Sequence, residues 1–353
     1  MSQDAETTGL EHAFADVVES FYLETQEGMF FAVKGLEHPP GRLIAVLRYA
    51  PDPEKGNRRK RGLLYRRFYH FAEQEQFIKT ACPHYMAYDP VFQTTLQSVP
   101  KSRVLRAYDP RLRMHELALA SVRKEIEEDA VAFVRLLQKE AEVPLSAFGI
   151  TGSLLIGLNT ELSDLDVAVF GMQNCNKVYR ILQNLLDADS CSELRRLDMR
   201  GFEALYAQRV VDTRMAFDEF VSLETRKVNQ GSFRRRPYFV RFIKEAHESG
   251  QSYGHCRYTP LGRARITASI TDDQGAIFTP CSYGLSGVRS FNGLQYPDLN
   301  EIVSFRGRFC EQARTGESMI AEGTLERVRS NRGDVRHRLL LGYSPEDTMV
   351  ARK

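Results

Sequence analysis

The sequence has no tryptophan and no Cys-x-x-Cys pair. It also lacks any apolar run approaching the roughly 18 residues that a membrane-spanning helix needs. The Gly-x-x-x-x-Gly-Lys-Ser/Thr loop is missing, which removes the P-loop kinases and NTPases. The first residues, Met1-Ser2-Gln3-Asp4-Ala5-Glu6, are acidic and lack the basic-then-apolar order of a secretory signal, so a cytoplasmic protein without a membrane partner is expected. The cysteines (Cys82, Cys175, Cys191, Cys256, Cys281 and Cys310) are scattered, as buried thiols of a reduced compartment would be. His255 and Cys256 with Cys281 lack a fourth ligand at a zinc-like spacing. Net charge is also scarce, at only +2, so the whole protein is no polycation and any anionic partner must be met by local clusters.

What is present is an ordinary globular composition, 42% hydrophobic and 27% charged over 353 residues, enough for two or three domains. Its most informative stretch is Phe148-Gly149-Ile150-Thr151-Gly152-Ser153-Leu154-Leu155-Ile156-Gly157, followed by Leu162-Ser163-Asp164-Leu165-Asp166-Val167-Ala168-Val169-Phe170. Side chains alternate along a strand, so Asp164 and Asp166 share one face, with Leu165 and Val167 on the other. Two adjacent carboxylates repel unless a cation lies between them, and hard oxygen ligands with phosphate oxygens suit Mg²⁺. Gly152 and Ser153 let backbone N–H groups and a hydroxyl approach an anion, and Gly157 permits a second close approach. Together they suggest phosphoryl chemistry.

Gly152-Ser153-x-x-x-Gly157 followed by Ser163-Asp164-x-Asp166 resembles the signature of the polymerase-β-like nucleotidyltransferase superfamily. Leu155 stands where the family often has a small residue. The resemblance implies a Gly-Ser turn after a helix, then the Asp-x-Asp strand, with Asp164 and Asp166 as catalytic metal ligands. It implies Gly152, Ser153 and Gly157 as nucleotide-binding residues, with Mg as the cofactor and an NTP as the substrate. A third carboxylate would come from a later strand beside the first. The strand Pro237–Glu245 offers Arg241 in its interior, and Glu245 is the nearest acid on that face. Asp272 and Asp273 precede Gln274-Gly275 and fit a hairpin turn better.

Around this stretch the pattern predicts a helix over Ala13–Glu24 and strands at Met29–Lys34, Arg42–Tyr49 and Gly62–Tyr69, an antiparallel meander. Lys55, Arg58, Arg59, Lys60 and Arg61 cluster between its last two strands, either as a solvated tip or as phosphate contacts. Prolines 83, 90, 100 and 110 mark a boundary region. A long helix is expected over Met114–Glu140, with Leu119, Val122, Ile126, Ala130, Phe133 and Leu137 as the stripe packed on a core and Glu125, Glu127, Glu128 and Asp129 mainly on its solvent side. Helices are read over Asn174–Leu186 and between Glu193 and Thr225. Arg234, Arg235 and Arg236 end a second basic cluster and are candidate nucleic-acid contacts.

The last hundred residues carry five short strands, fitting a small β-barrel, OB-like if partly closed. Arg306, Arg308, Arg327, Arg329, Arg336 and Arg338 alternate there and would form a positive outer face suited to single-stranded nucleic acid, unless Glu301, Glu311 and Glu326 pair with them. The expected fold class is α+β: an N-terminal β-rich domain (1–110), a nucleotidyltransferase-like mixed sheet with helices (111–250) and a C-terminal barrel (251–353). The expected activity is Mg-dependent transfer of a nucleotidyl group from an NTP to an acceptor such as RNA. The competing expectation is a non-catalytic nucleic-acid or protein-binding factor on a degenerate nucleotidyltransferase scaffold.

Overall fold

The computed structural model describes residues 14–188, 191–212, 214–250, 252–296 and 298–352, and the fold is mixed α+β. No helix among the described residues is long and apolar enough to cross a membrane. The chain folds as two compact units. One comprises Met1–Tyr88, Thr95–Ile181 and Phe233–Tyr253; the other comprises Asp89–Thr94, Leu182–Ser232 and Gly254–Lys353. This grouping differs from the expected division at 110/111 and 250/251. The N-terminal sheet and the motif region share a unit, and residues 182–232 belong with the barrel.

The N-terminal sheet of the first unit orders its strands Arg58–Lys60, Leu63–Arg67, Arg42–Pro51, Phe30–Val33, Tyr22–Thr25 and Val104–Tyr108, with antiparallel neighbours. The expected meander lies inside it. Two expectations fail here. Ala13 lies outside the described residues, and from Phe14 onward the chain makes turns before entering the strand Tyr22–Thr25. Aromatic and β-branched side chains favour that strand, and they are buried in succession: Leu23 enters one apolar core and Tyr22 another. The supposed boundary region is part of the sheet as well, since Val104–Tyr108 pairs with Tyr22–Thr25.

The long helix of the sequence reading is two helices, Pro110–Leu119 and Glu125–Ala141. Asp109 caps the first by accepting a hydrogen bond from the Arg111 amide at 2.8 Å, with Pro110 at the first helical position. Leu119 and Val122, read as core residues, are 73% and 84% exposed at the break. Beyond it Ile126, Ala130, Phe133 and Leu137 are buried as expected.

These helices accompany a second sheet, in which Phe148–Ile150 runs antiparallel and Arg236–Ile243 parallel to the motif strand Leu165–Phe170. Gly149 permits a close crossing, because a Cβ there would meet Pro110 Cβ at 2.6 Å. Ala168, Phe170 and Ile243 join Leu43, Ala45 and Leu47 of the N-terminal sheet in one core. Tyr22, Phe30 and Tyr49 pack on Leu155, Ile156 and Leu158 just after the Gly-Ser turn. The N-terminal sheet is therefore built onto the motif.

In the second unit, strands Cys256–Asp272, Cys281–Ser290, Leu299–Ser304, Val335–Leu341 and Ser318–Ser330 pair in that order, and the last closes on the first. That is a closed five-stranded barrel, with Thr348–Arg352 added beside Ser318–Ser330. The expected arginine face is mostly accounted for by acids. Arg306 and Arg308 pair with Asp212, Arg336 with Glu301, and Arg338 with Glu326 at 2.7 Å in the interior. Arg327 and Arg329 remain exposed. The helical stretch before the barrel resolves into Met199–Arg209 and Phe217–Glu224, preceded by the short strand Leu194–Arg195.

Candidate functional site

The site grows from the turn after Phe148–Ile150. Thr151 N donates to Asp166 O at 3.0 Å, locking the turn to the motif strand. Gly152 follows with φ +65°, a left-handed conformation that glycine adopts without penalty. A Cβ at that position would lie 2.1 Å from Asp166 Oδ2, so glycine also makes room for the carboxylate. Ser153 is 7% exposed, and its carbonyl accepts from Leu158 N at 2.9 Å, closing the loop over Gly157. Gly157 takes φ +67° in open space.

Leu165 and Val167 are fully buried on one side of the strand, leaving Asp166 and the preceding Asp164 on the other. Neither carboxylate makes a side-chain hydrogen bond or ion pair among the described residues, and the Ser153 hydroxyl is likewise unpartnered. Asp164 is exposed to solvent, yet protein atoms crowd around its carboxylate. That desolvation, reinforced by the charge of Asp166 and opposed by Arg67 and Arg58, pushes its pKa up to about 6.

The first basic cluster serves this loop. Arg58 Nη1 donates to Leu158 O at 2.8 Å and to Ser163 Oγ at 3.1 Å. Lys60 donates to the Ile156 carbonyl and lies over the Phe30 and Tyr108 rings at 4.9 and 4.8 Å. Burial lowers the Lys60 pKa to about 8. A cavity of about 260 Å³ lies beside Lys60, Tyr108, Arg113, Leu155 and Gly157, and neither aspartate lines it. No residue pattern marks Arg58 and Lys60 as fasteners of the motif loop, because the carbonyls they bind are about a hundred residues away.

No family model matches the chain. It is similar to the uncharacterized protein MJ1086 of Methanocaldococcus jannaschii, 28% identical over 332 residues that span 92% of this chain and 95% of that protein. No solved structure matches. The likeness runs through both units, so they recur together in that relative.

Other expected site residues lie elsewhere. Asp166 is in register with Phe239, whereas Glu245 comes after the strand has ended, about 20 Å further along at 3.3 Å per residue. Glu245 pairs there with Arg111, and its amide joins a short 3₁₀ turn. It is not beside the acid pair. The position that is on the Asp166 face, in register with Ala168, is Arg241.

Arg234 and Arg235 form a tight turn with φ of 50° and 69°. Arg236 donates to Asp129 at 2.7 Å, with Glu125 at 3.1 Å, and Arg234 stands 3.6 Å from Asp129. Asp129, read as solvated, is only 7% exposed and draws both arginines onto the helix. Of that nucleic-acid cluster, Arg235 alone is exposed with no such acid. Asp272 accepts from the Gln274 amide at 2.9 Å, as a hairpin residue does.

Proposed function

We propose that this protein is a magnesium-dependent nucleotidyltransferase that takes the nucleotidyl group of an NTP and passes it to RNA. The support comes above all from the condition of Asp164 and Asp166. Asp164 is exposed and Asp166 half-buried, and the two lie side by side without a side-chain partner among the described residues. Gly152 is shaped around Asp166, an arrangement open to a cation that relieves their repulsion.

Among the described residues no group of three or more His, Cys, Asp or Glu is assembled to hold a metal by itself. Two carboxylates completed by phosphate oxygens are nonetheless a donor set that suits Mg²⁺. Magnesium there would neutralise phosphate charge and activate the attacking oxygen. Asp164 and Asp166 would hold it, and the Ser153 hydroxyl with the Gly152 amide would orient the outer phosphates. Positioning and charge neutralisation are most of what phosphoryl transfer requires. For the acceptor, support comes from the barrel. Arg257 and Arg329 are cross-strand partners, both exposed and without acids, beside Arg327. Directly opposed like charges destabilise a strand pair unless an anion covers them, and the phosphates of RNA would do so.

A second reading, a nucleic-acid-binding factor that has lost transfer, draws its support from Arg241, which stands where a third acid is expected. The test uses the full chain with each α-labelled NTP and RNA, with Mg²⁺ or EDTA. The expected result is magnesium-dependent labelling that disappears in Asp166→Asn at an unchanged melting temperature. RNA binding without labelling by any NTP would select the binding factor.

A further inference from the structure

Three arginines from different strands gather around Tyr22, which packs on the motif, and one of them, Arg67, also lies within electrostatic reach of both aspartates. Arg241 projects from the face that carries Asp166, since the two parallel strands are in register and same-face residues recur every second position. Arg67, at the end of Leu63–Arg67, is the cross-strand partner of Tyr49, and its guanidinium lies 4.1 Å from the centre of the Tyr69 ring. Arg48 immediately precedes Tyr49 on the neighbouring strand. Tyr22 and Tyr49 pack against Leu155 and Ile156 of the motif. One strand start is stitched directly to the site: Thr151 Oγ1 donates to Ser20 O at 2.6 Å, one residue before Gly152.

Tyr22 is the common neighbour. Arg48, Asp166, Arg67 and Arg241 all act electrostatically on its hydroxyl. Asp166 acts in turn on Arg67, and Arg67 on Asp164.

These guanidinium groups are partly buried, yet none makes a hydrogen bond or ion pair among the described residues. Arginines with a structural role in this chain look different. Arg236 sits 2.7 Å from Asp129, and Arg338 sits 2.7 Å from Glu326. Arginine stays protonated, so three unpaired cations gathered at a crowded site repel one another unless an anion joins them. The two aspartates act on this group only at longer range, so three guanidinium groups outnumber the carboxylates near them and keep N–H donors for an anionic ligand. Ser20 adds a second sign. It holds φ +78°, a conformation costly for a residue with a side chain, and its Oγ is buried without a hydrogen-bond partner.

We infer that Arg48, Arg67 and Arg241 form a phosphate-binding wall facing Asp164 and Asp166, supplied mainly by the N-terminal sheet. The inference rests on the nucleotidyltransferase reading for its substrate and deepens it. The N-terminal sheet completes the site, and Arg241 receives phosphate oxygens at the position expected for an acid. The planar fork of each guanidinium matches the spacing of phosphate oxygens. Such a wall holds a polyphosphate chain before any metal arrives.

The test is calorimetry of inorganic tripolyphosphate binding to the full chain in EDTA at fixed salt. Wild type is expected to bind, and Arg67→Gln and Arg241→Gln each to weaken binding about tenfold or more. Arg67→Lys should recover part of the loss, and Arg59→Gln, an exposed change, should have no effect. Melting temperatures of the variants verify folding, and Arg67→Lys carries the test if a glutamine variant does not fold. No binding by wild type, or unchanged affinity in both glutamine variants, would overturn the wall. Arginine-dependent tripolyphosphate binding in a protein that labels no acceptor would instead leave the wall standing and remove the nucleotidyltransferase. Full labelling activity in Arg67→Gln and Arg241→Gln would do the reverse.

Discussion

Two clusters in the first unit look alike in the sequence and opposite in the structure. Asp164 and Asp166, beside Arg48, Arg67 and Arg241, have no ion pairs among the described residues. Arg234 and Arg236, beside Asp129 and Glu125, are tied into them. Both clusters sit at the start of a strand, and both bring charge next to an apolar core. The second explains itself: a buried acid and a cationic hairpin satisfy each other and hold helix Glu125–Ala141 to strand Arg236–Ile243. The first is different, because its half-buried and exposed groups lie near one another without closing ion pairs. Within one fold, the open cluster is the one we assign to a ligand.

The sharpest way to break this contrast is to disturb the open cluster without altering its charges. Gly152→Ala puts a methyl group 2.1 Å from Asp166 Oδ2 in a left-handed backbone, so the carboxylate must swing away. Displacement of a reacting group by about 1 Å costs on the order of a hundredfold in rate, and that loss in NTP labelling is expected. The left-handed backbone makes alanine strained there as well, so the melting temperature should also fall and activity is read on the folded fraction; a Gly152→Ala protein as active as wild type would contradict the site.

Next comes the closed cluster. Asp129→Ala leaves Arg236 and Arg234 without their shared acid, and urea unfolding should show a loss of about 1.5–3 kcal/mol, the range for a hydrogen bond to a charged group. Transfer activity measured on the folded fraction should stay within about twofold. A loss of activity larger than the loss of stability would merge the two clusters and end the comparison.

A smaller effect concerns acid. His38 accepts from Ile44 N at 3.1 Å and donates to Val17 O at 3.0 Å. Burial lowers its pKa from 6.5 to about 4. Folding therefore favours the neutral ring, and the unfolded chain binds the extra proton between these values. The stability His38 contributes is complete above about pH 6.5 and is lost as pH falls toward 4. Melting curves across that window should be steeper for wild type than for His38→Gln; parallel curves would refute the assignment.

The smallest expected effect is at Glu245. It pairs with Arg111 beyond the end of its strand, so Glu245→Gln should change labelling and magnesium dependence less than about twofold. A large loss would return it to the site.

Much of this was legible in the residues. Gly152, Ser153 and the two aspartates announced a turn and a strand because glycine and alternating burial impose local geometry. The barrel strands were legible for the same reason. What the sequence hid was pairing at long range. Asp129 reads as one more acid on a charged helix until Arg236 arrives from a hundred residues away. Arg58 reads as a solvated hairpin tip until it meets Leu158 O. Arg67 carries no motif at all; only the packing of the N-terminal sheet on the motif brings it near Asp166. The start of the first helix was half visible, since Asp109-Pro110 is a helix start as much as a break, whereas no proline or glycine announces the break at Ala120. Arg241 was already legible in the strand interior, and Glu245 was read as the nearest acid along its face; what the residues did not show is that the strand ends at Ile243 and Glu245 turns to Arg111.

The most direct test of the central claim is ATP binding by calorimetry in Mg²⁺ and in EDTA, comparing wild type with the Asp164→Asn, Asp166→Asn double variant. If the open acid pair is a metal and phosphate site, magnesium should tighten ATP binding by wild type at least tenfold and leave the double variant unchanged. Equal affinity with and without magnesium in wild type, or the same gain in the variant, would contradict it.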